Sequence, residues 1–412
     1  MELNNTKLDK GYLFLIFYIF WGWIFTKTIY ANNIFVYLSF IFLFVIFSIK
    51  LINKIYSVGL HIDNMAKVWI PYYLYTCVGW LSQSNIEMFV YYYICLIIVL
   101  TAYRSNIQEN IPYKFIIYGG ILTVISIFFQ ILYPSLYSQI IGNKLIQDSV
   151  QRWTSGDYGF NGITYQLGKT AEILLFAEFA FLYLFKNIKW LVNRKILNYT
   201  LVVIIIVCVF LTGKRMNSAM ALMIPICVYF FSLRNFSKRI IYLFIITAVS
   251  LILTDYFINN VDSFTDNYIL RRTAESVLNS QSDGWSEVSG GRENLFEQSI
   301  LIFQQNPLFG IGSGEFSKIY GTMVHNLYLQ ALAEQGLIGF ILLVIPMIYC
   351  LKNTIFLLRN VKFEKYKQYL CFGLALQFNY IIQGFSDNTS ISIFIINAVG
   401  IAIVINYKSI EK

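Results

Sequence analysis

Charged residues are scarce in this sequence. Only 13% of its 412 residues are Asp, Glu, Lys or Arg, whereas 57% are hydrophobic and 18% are aromatic. A soluble domain usually carries about 25% charged residues, and a much smaller share cannot cover a water-facing surface. The composition therefore excludes a soluble globular protein and predicts a polytopic membrane protein.

Histidine is almost absent, and the cysteines are scattered. The only histidines are His61 and His325, and the six cysteines lie in apolar runs without C-x-x-C spacing. Such cysteines are typical of small buried side chains rather than of zinc ligands or disulfide partners. The net charge of +9 does not indicate nucleic-acid binding, because the basic residues lie between apolar runs. We therefore expect no metal site and no nucleic-acid partner.

Twelve apolar runs have the length of candidate transmembrane helices. They lie near residues 12–28, 33–50, 68–82, 86–103, 114–133, 165–185, 196–212, 216–233, 240–257, 326–350, 368–385 and 390–407. The sequence therefore predicts an all-α fold of about 12 transmembrane helices.

The basic residues predict the orientation of these helices. When both termini are placed in the cytoplasm, most of the 31 Lys and Arg residues fall on the inner side, as the positive-inside rule requires. Residues 1–257 then hold the first nine helices with an outer segment at 134–164. Residues 258–325 form a long outer loop, and residues 326–412 hold the last three helices.

The long outer loop is predicted to contain short helices at the membrane surface, joined by turns. In "ENLFEQSILIFQQNP", the apolar residues at 295, 296, 300, 302 and 303 follow a helical period. Pro307 lies just beyond the end of that pattern, where a helix is expected to stop.

Glycines occur in two places near the end of this loop. In "NPLFGIGSGEF", residues 306–316, three glycines predict a tight turn that returns the chain to the membrane. Gly336 and Gly339, inside the next apolar run, are typical of close helix packing.

Four basic residues on the outer side are candidates for binding an anion. Lys214 and Arg215 stand in "FLTGKRMNSAM", Arg152 stands in the first outer segment, and Arg292 opens the predicted helix. Arginine keeps its charge in any environment and donates two parallel hydrogen bonds to phosphate oxygens. At Arg292 the unpaired N–H groups of a helix start add to this attraction. The alternative is that these side chains reach lipid headgroups or pair with nearby Asp and Glu.

The segment "MVHNLYLQALAEQGLIGF", residues 323–340, places polar residues in an apolar run. His325 lies at the outer mouth of the predicted span, and Asn326, Gln330 and Glu334 follow at a spacing of four, which aligns them on one helix face. Polar groups inside a membrane are costly unless they have partners or a function. The pattern therefore favours a functional cavity below His325.

Residues 291–340 resemble the signature region of the O-antigen ligase and polymerase superfamily. The shared pattern is "GR", a helix, "NPLFGIGSG", "HN", and then a glutamate and glycines in the next span. "LTGKR" is similar to the outer basic motif of the same superfamily. Arg152, Gly159-Phe160 and Thr164 match it more weakly.

The resemblance implies a multi-spanning glycosyltransferase with a GT-C-type fold, acting at the periplasmic or outer face of the bacterial inner membrane. Its donor would be an undecaprenyl-pyrophosphate-linked sugar repeat unit or chain. It would need no metal or other cofactor, because the lipid pyrophosphate is the leaving group. Its further partners would be a chain-length regulator protein and the membrane lipids.

The resemblance also implies roles for the candidate residues. Arg215 and Arg292 would hold the pyrophosphate, and His325 would lie beside the reacting centre. The substrate-binding candidates are Arg152, Lys214, Asn326, Gln330 and Glu334. For Glu334 three roles stay open: it could orient His325, bind the acceptor sugar or brace the helix.

The chemistry of such a transfer suits these residue types. Cleavage of the sugar–phosphate bond builds negative charge on the pyrophosphate, which fixed arginines stabilise. The acceptor hydroxyl loses a proton as it attacks the anomeric carbon, and a histidine can accept that proton near neutral pH.

Three functions are compatible with the sequence. We favour a polymerase for O-antigen or capsule repeat units, since Lys214 replaces the small residue that the ligase pattern has before the arginine. The alternative within the superfamily is an O-antigen ligase that transfers chains to lipid A–core. A polysaccharide-unit flippase or another transporter is a different class, in which charge at the bilayer midplane and repeated halves are expected.

Overall fold

A computed structural model describes residues 33–59, 61–104, 113–140, 159–164, 167–185, 194–265, 292–386 and 391–411. All regular secondary structure within these ranges is helical. The described helices are α1 (Asn33–Val58), α2 (Asn64–Ser82), α3 (Ile86–Thr101), α4 (Tyr113–Leu132), α5 (Pro134–Ile140), α6 (Leu167–Leu184), α7 (Lys195–Leu211), α8 (Arg215–Ser232), α9 (Phe236–Asn259), α10 (Val261–Thr265), α11 (Glu293–Gln305), α12 (Glu315–Tyr320), α13 (Leu327–Asn360), α14 (Glu364–Gln383) and α15 (Ile391–Glu411).

The prediction of an all-α fold is confirmed. Each apolar run after the first coincides with a helix, and the run at 12–28 lies outside the described residues. Among the described helices, α8 and α13 are long and apolar enough to cross a membrane, and four shorter apolar stretches lie in α3, α4, α7 and α15. The number of membrane spans therefore stays a prediction.

The chain divides into two compact units. Among the described helices, the first unit contains α1–α3 and nearly all of α11 together with α12–α15, and the second contains α4–α10. Each unit is built from segments whose apolar residues recur along the helix, so each helix can bury a face against its neighbours.

In the first unit, the helices pack around α15. Every side chain from Ile393 to Tyr407 is buried, and α15 contacts α2, α3, α13 and α14. Aromatic rings fill the core, where Trp69 stacks on Tyr73 with 5.3 Å between ring centroids and meets Tyr380 edge-on at 6.3 Å. This core supports α13, the helix that begins with the candidate site residues.

In the second unit, α6 is the central helix. Every residue from Ala171 to Ala180 is buried, and α6 packs against α7 and α8. Gly120 of α4 allows a close approach, because a Cβ there would lie 2.2 Å from the Cβ of Ala177. Helix α9 contacts α8 and exposes large apolar side chains such as Phe244 (75% exposed). An exposed apolar face of this kind suits contact with lipid.

The helix predicted in the long outer loop is confirmed as α11. Ile302 is buried in a cluster with Phe316 and Val324, and Leu295 and Phe296 pack against it. Ile300, which the period placed on the same face, is 45% exposed. The short helices α5, α10 and α12 also lie in the two predicted outer segments.

Candidate functional site

The candidate residues lie in two groups, one in each unit. Lys214 and Arg215 belong to the second unit, whereas the stretch from His325 to Glu334 belongs to the first. Arg292 is the last residue before α11 and is half-buried, so the prediction that it opens a helix is confirmed. Arg152 lies outside the described residues.

A tight turn between α7 and α8 carries the basic pair. Gly213 adopts a left-handed conformation (φ 66°), and its N–H donates to the carbonyl of Phe210 at 2.9 Å. Lys214 is the N-cap of α8 and offers no side-chain cap, and Arg215 is the exposed first residue of that helix. The pair therefore adds two positive charges to the positive end of an 18-residue helix, an arrangement that attracts anions.

Gly159 and Phe160, which belong to the weaker sequence match, lie against this turn. The N–H of Phe160 donates to the carbonyl of Leu211 at 2.9 Å. Gly159 has φ 115°, and a Cβ there would lie 2.3 Å from the carbonyl oxygen of Thr212. The structure thus brings "GF" and "GKR" together, although they are about fifty positions apart in the sequence.

Buried polar residues hold the 159–164 turn in place. The single O–H of Tyr137 is shared between two acceptors, Asn161 Oδ1 (2.9 Å) and the carbonyl oxygen of Gly162 (2.6 Å). Gln130 and Ser126 accept from the N–H groups of Gly162 and Ile163, each at 2.9 Å. Burial raises the pKa of Tyr137 above its ordinary value. This network was not predicted from the sequence, where its only signal was the polar residues inside the apolar run at 114–133.

We expect Gly159→Ala to destabilise this turn. A methyl group would meet the backbone of Thr212, and the left-handed conformation disfavours any L-residue, so the free energy of unfolding should fall by roughly 2 kcal/mol or more. The measurement is denaturant unfolding of the purified protein in detergent.

Gly168→Ala is the matched control for that measurement. Its Cβ would meet only Lys214 Cε, at 3.8 Å, and alanine is favourable in a helix. Equal stability of the two variants would show that the turn does not depend on Gly159.

In the first unit, His325 occupies a left-handed backbone position. It has φ 60°, which non-glycine residues other than Asn, Asp and His seldom adopt. Asn326 then caps α13, since its Oδ1 accepts from the N–H groups of Tyr328 and Leu329, both at 3.0 Å. Its Nδ2 donates to the carbonyl of Phe385 at 3.3 Å, and the N–H of Leu327 donates to the carbonyl of Gly384 at 2.8 Å. The "HN" turn is therefore fastened to the end of α14.

Helix α13 is interrupted at Gly336. This residue has φ 65° and ψ −166°, so the helix divides into a short segment, 327–335, and a long one, 337–360. The interpretation of Gly336 as a residue of close helix packing is therefore corrected: its close contact is with the backbone of Leu308, at a break in its own helix. A break leaves backbone N–H and C=O groups without helical partners, and such groups are costly where water is excluded.

The loop at 306–314, hereafter the glycine loop, supplies the missing partners. Four hydrogen bonds join it to the break: Ile311 N to Ala333 O (3.0 Å), Gly312 N to Glu334 O (2.9 Å), Leu337 N to Pro307 O (2.8 Å) and Ile338 N to Leu308 O (3.2 Å). The Tyr75 hydroxyl also donates to the carbonyl of Gln335 at 3.2 Å. The segment that the sequence predicts as a tight turn thus forms hydrogen bonds with the backbone at the break in α13.

The contact is so close that only glycine fits at two positions. A Cβ on Gly310 would lie 2.4 Å from the carbonyl carbon of Glu334, and a Cβ on Gly336 would lie 2.4 Å from that of Leu308. Both glycines have positive φ. The spacing of the "NPLFGIGSG" motif therefore follows from backbone-to-backbone packing.

The polar stripe predicted in α13 occupies the short segment before the break. Gln330 is half-buried, and Glu334 is only 3% exposed. Glu334 Oε2 accepts from the N–H of Gly314 at 2.9 Å, so the stripe ends on the glycine loop.

Residues 200–344 match the family model described as O-antigen ligase. The resemblance drawn from the sequence is therefore confirmed for this region. The matched O-antigen ligase region contains Lys214, Arg215, Arg292, the glycine loop and the stretch from His325 to Glu334.

The O-antigen ligase match has defined limits. It supports a function of the O-antigen ligase and polymerase type, in a membrane-bound family, and it does not distinguish ligase from polymerase. Arg152, Gly159 and Phe160 lie before the matched region. No curated protein matches the chain.

Proposed function

We propose that the protein is a surface-polysaccharide polymerase for O-antigen or capsule. It would transfer an undecaprenyl-pyrophosphate-linked glycan onto another lipid-linked repeat unit at the outer face of the inner membrane. The observation that carries this proposal is that the matched region contains both the basic pair at the start of α8 and the "HN" turn at the start of α13.

In this mechanism the acceptor hydroxyl attacks the anomeric carbon of the donor sugar. The new glycosidic C–O bond forms as the bond between the anomeric carbon and the phosphate oxygen breaks, and its electron pair leaves with the pyrophosphate. Arg215 and Arg292 hold that leaving group, with Lys214 and Arg152 as further cationic contacts, and stabilise its growing charge. His325 takes the hydroxyl proton. A single displacement of this kind inverts the anomeric configuration.

In the proposed architecture, about 12 membrane spans form a GT-C-type arrangement, with both termini in the cytoplasm and the candidate residues on the outer side. The exposed apolar side chains of α9 and the interrupted, candidate-spanning helix α13 are consistent with a bilayer setting. A chain-length regulator protein and membrane lipids are the proposed partners besides the substrate.

An O-antigen ligase is the second candidate, since the matched family model carries that description. The two enzymes differ in the acceptor, because a ligase requires lipid A–core and a polymerase requires only more lipid-linked repeat units.

The test supplies purified protein with lipid-linked repeat units and no other acceptor. A polymerase produces a ladder of lipid-linked oligomers under these conditions. Products that appear only after lipid A–core is added would identify a ligase. If no new glycosidic bond formed with either acceptor, both the polymerase and the ligase proposals would be contradicted and a transporter would be favoured.

A further inference from the structure

Glu334 contacts the glycine loop through both its main chain and its side chain. Its carbonyl accepts from the N–H of Gly312 at 2.9 Å, and its Oε2 accepts from the N–H of Gly314 at 2.9 Å. The other carboxylate oxygen, Oε1, is buried without a hydrogen-bond partner among the described residues. Glu334 is 3% exposed, so its carboxylate is enclosed by protein and meets the glycine loop through Oε2.

Gly314, whose N–H the Glu334 carboxylate accepts, is connected to His325 through a short series of packed residues. Gly314 is the N-cap of α12, and Phe316, two residues later, is completely buried. Phe316 packs in one cluster with Val324 and with Ala333, which precedes Glu334. Val324 is the residue before His325, so the histidine directly follows a residue that packs on α12.

The rest of the loop leaves little freedom for α12 to move on its own. A Cβ on Gly314 would lie 2.7 Å from the Trp80 ring, and a Cβ on Gly79 would lie 2.6 Å from Ser313 Oγ. Helix α2 packs against the end of the glycine loop at Ser313 and Gly314, and the break in α13 binds the rest of the loop. The Glu334 carboxylate adds a hydrogen bond at Gly314, the N-cap of α12.

We propose that Glu334 is a positioning residue: by accepting the Gly314 N–H it fixes α12 and thereby places His325 for proton transfer, and it neither binds sugar nor exchanges a proton itself. This inference rests on the proposed function for the role of His325. The contact between Glu334 and Gly314 does not depend on that function.

A comparison of two substitutions separates positioning from direct chemistry. Glu334→Gln keeps an acceptor oxygen at the same reach but carries no charge, whereas Glu334→Asp keeps the charge but withdraws the oxygens by one methylene. Positioning predicts that Gln retains at least about a third of the wild-type kcat and that Asp falls about tenfold or more. If Asp were more active than Gln, charge or proton transfer would be the function of this residue and the proposal would be overturned.

The separate effects on kcat and KM provide a second readout. With lipid-linked repeat units as substrate, Glu334→Asp should lower kcat and leave KM unchanged, because the misplaced group is His325. A rise in KM at constant kcat would instead identify Glu334 as a sugar ligand. Glu315→Gln is the matched control: it removes a neighbouring carboxylate whose ion-pair partner is Lys318 (2.8 Å), and it should leave both constants unchanged.

Hydrogen exchange tests the contact without relying on activity. Amides in residues 310–326 should exchange at wild-type rates in Glu334→Gln and at least about tenfold faster in Glu334→Leu, which has no acceptor. Unchanged exchange in Glu334→Leu would refute the contact itself. If wild-type protein makes no polymer but this exchange pattern is found, the proposed function fails and the contact stands.

Discussion

We expect His325→Asn to lower the rate of polymer formation by roughly 10²- to 10⁴-fold, the usual contribution of a general base. Asparagine is the most informative substitution, because it tolerates the left-handed backbone that His325 adopts and yet cannot accept the hydroxyl proton. The fold should therefore persist while the chemistry is lost. The measurement is the initial rate of polymerisation from lipid-linked repeat units, together with the unfolding midpoint of the variant.

His61→Asn is the control for that experiment. His61 is the other histidine of the chain, and it is exposed, with its ring 4.1 Å from the ring of Tyr103. Its substitution should leave the rate unchanged. A His325→Asn protein that polymerises at the wild-type rate would remove His325 from the mechanism.

The largest loss of stability is expected for Gly336→Ala. The added methyl group would lie 2.4 Å from the carbonyl carbon and oxygen of Leu308, so the glycine loop must withdraw and its hydrogen bonds to the break are lost. Backbone strain and lost hydrogen bonds together should lower the free energy of unfolding by about 3 kcal/mol or more. Denaturant unfolding in detergent measures the effect.

Gly321→Ala is the control for a positive φ without the contact. Gly321 lies in the left-handed helical region (φ 71°, ψ −2°), whereas Gly336 (φ 65°, ψ −166°) lies in a region that almost only glycine adopts, and a Cβ on Gly321 would meet nothing within 4 Å. This variant should lose only about 1 kcal/mol, the cost of the left-handed conformation alone. If both substitutions cost the same, the packing of the loop into the break contributes nothing to stability.

The helices were predictable because their signals are local. A run of apolar residues indicates a helix whatever surrounds it, and α13 begins at Leu327, next to the predicted start at 326. The start of α11 after Arg292 and its end before Pro307 were predictable for the same reason.

The break in α13 could not be predicted from the same kind of signal. A glycine in an apolar run gives the same sequence pattern whether it allows close helix packing or adopts a positive φ. What distinguishes the two is the glycine loop, more than twenty residues earlier in the chain. Likewise, Gly159 meets Thr212 only in the folded unit, so the function of that glycine was invisible in the sequence.

Glu334 illustrates how the structure narrows a prediction. From sequence, a glutamate inside a span has three possible roles, and helical spacing does not choose among them. The hydrogen bond to Gly314 and the low exposure of Glu334 favour a bracing role. This role is connected to the orientation of His325, because α12, which Glu334 contacts at its N-cap, is followed by His325 in the chain.

The interruption of α13 also bears on how the protein is made. The glycine loop leaves the ribosome before α13, but its hydrogen-bond partners do not yet exist when it emerges. In the proposed membrane setting, residues 327–345 would enter the lipid as an uninterrupted helix, because in that conformation their backbone groups satisfy one another. We therefore expect the break to form after insertion, when the loop docks and its hydrogen bonds replace helical ones. The last assembly step of this helix would then depend on a segment that was synthesised earlier.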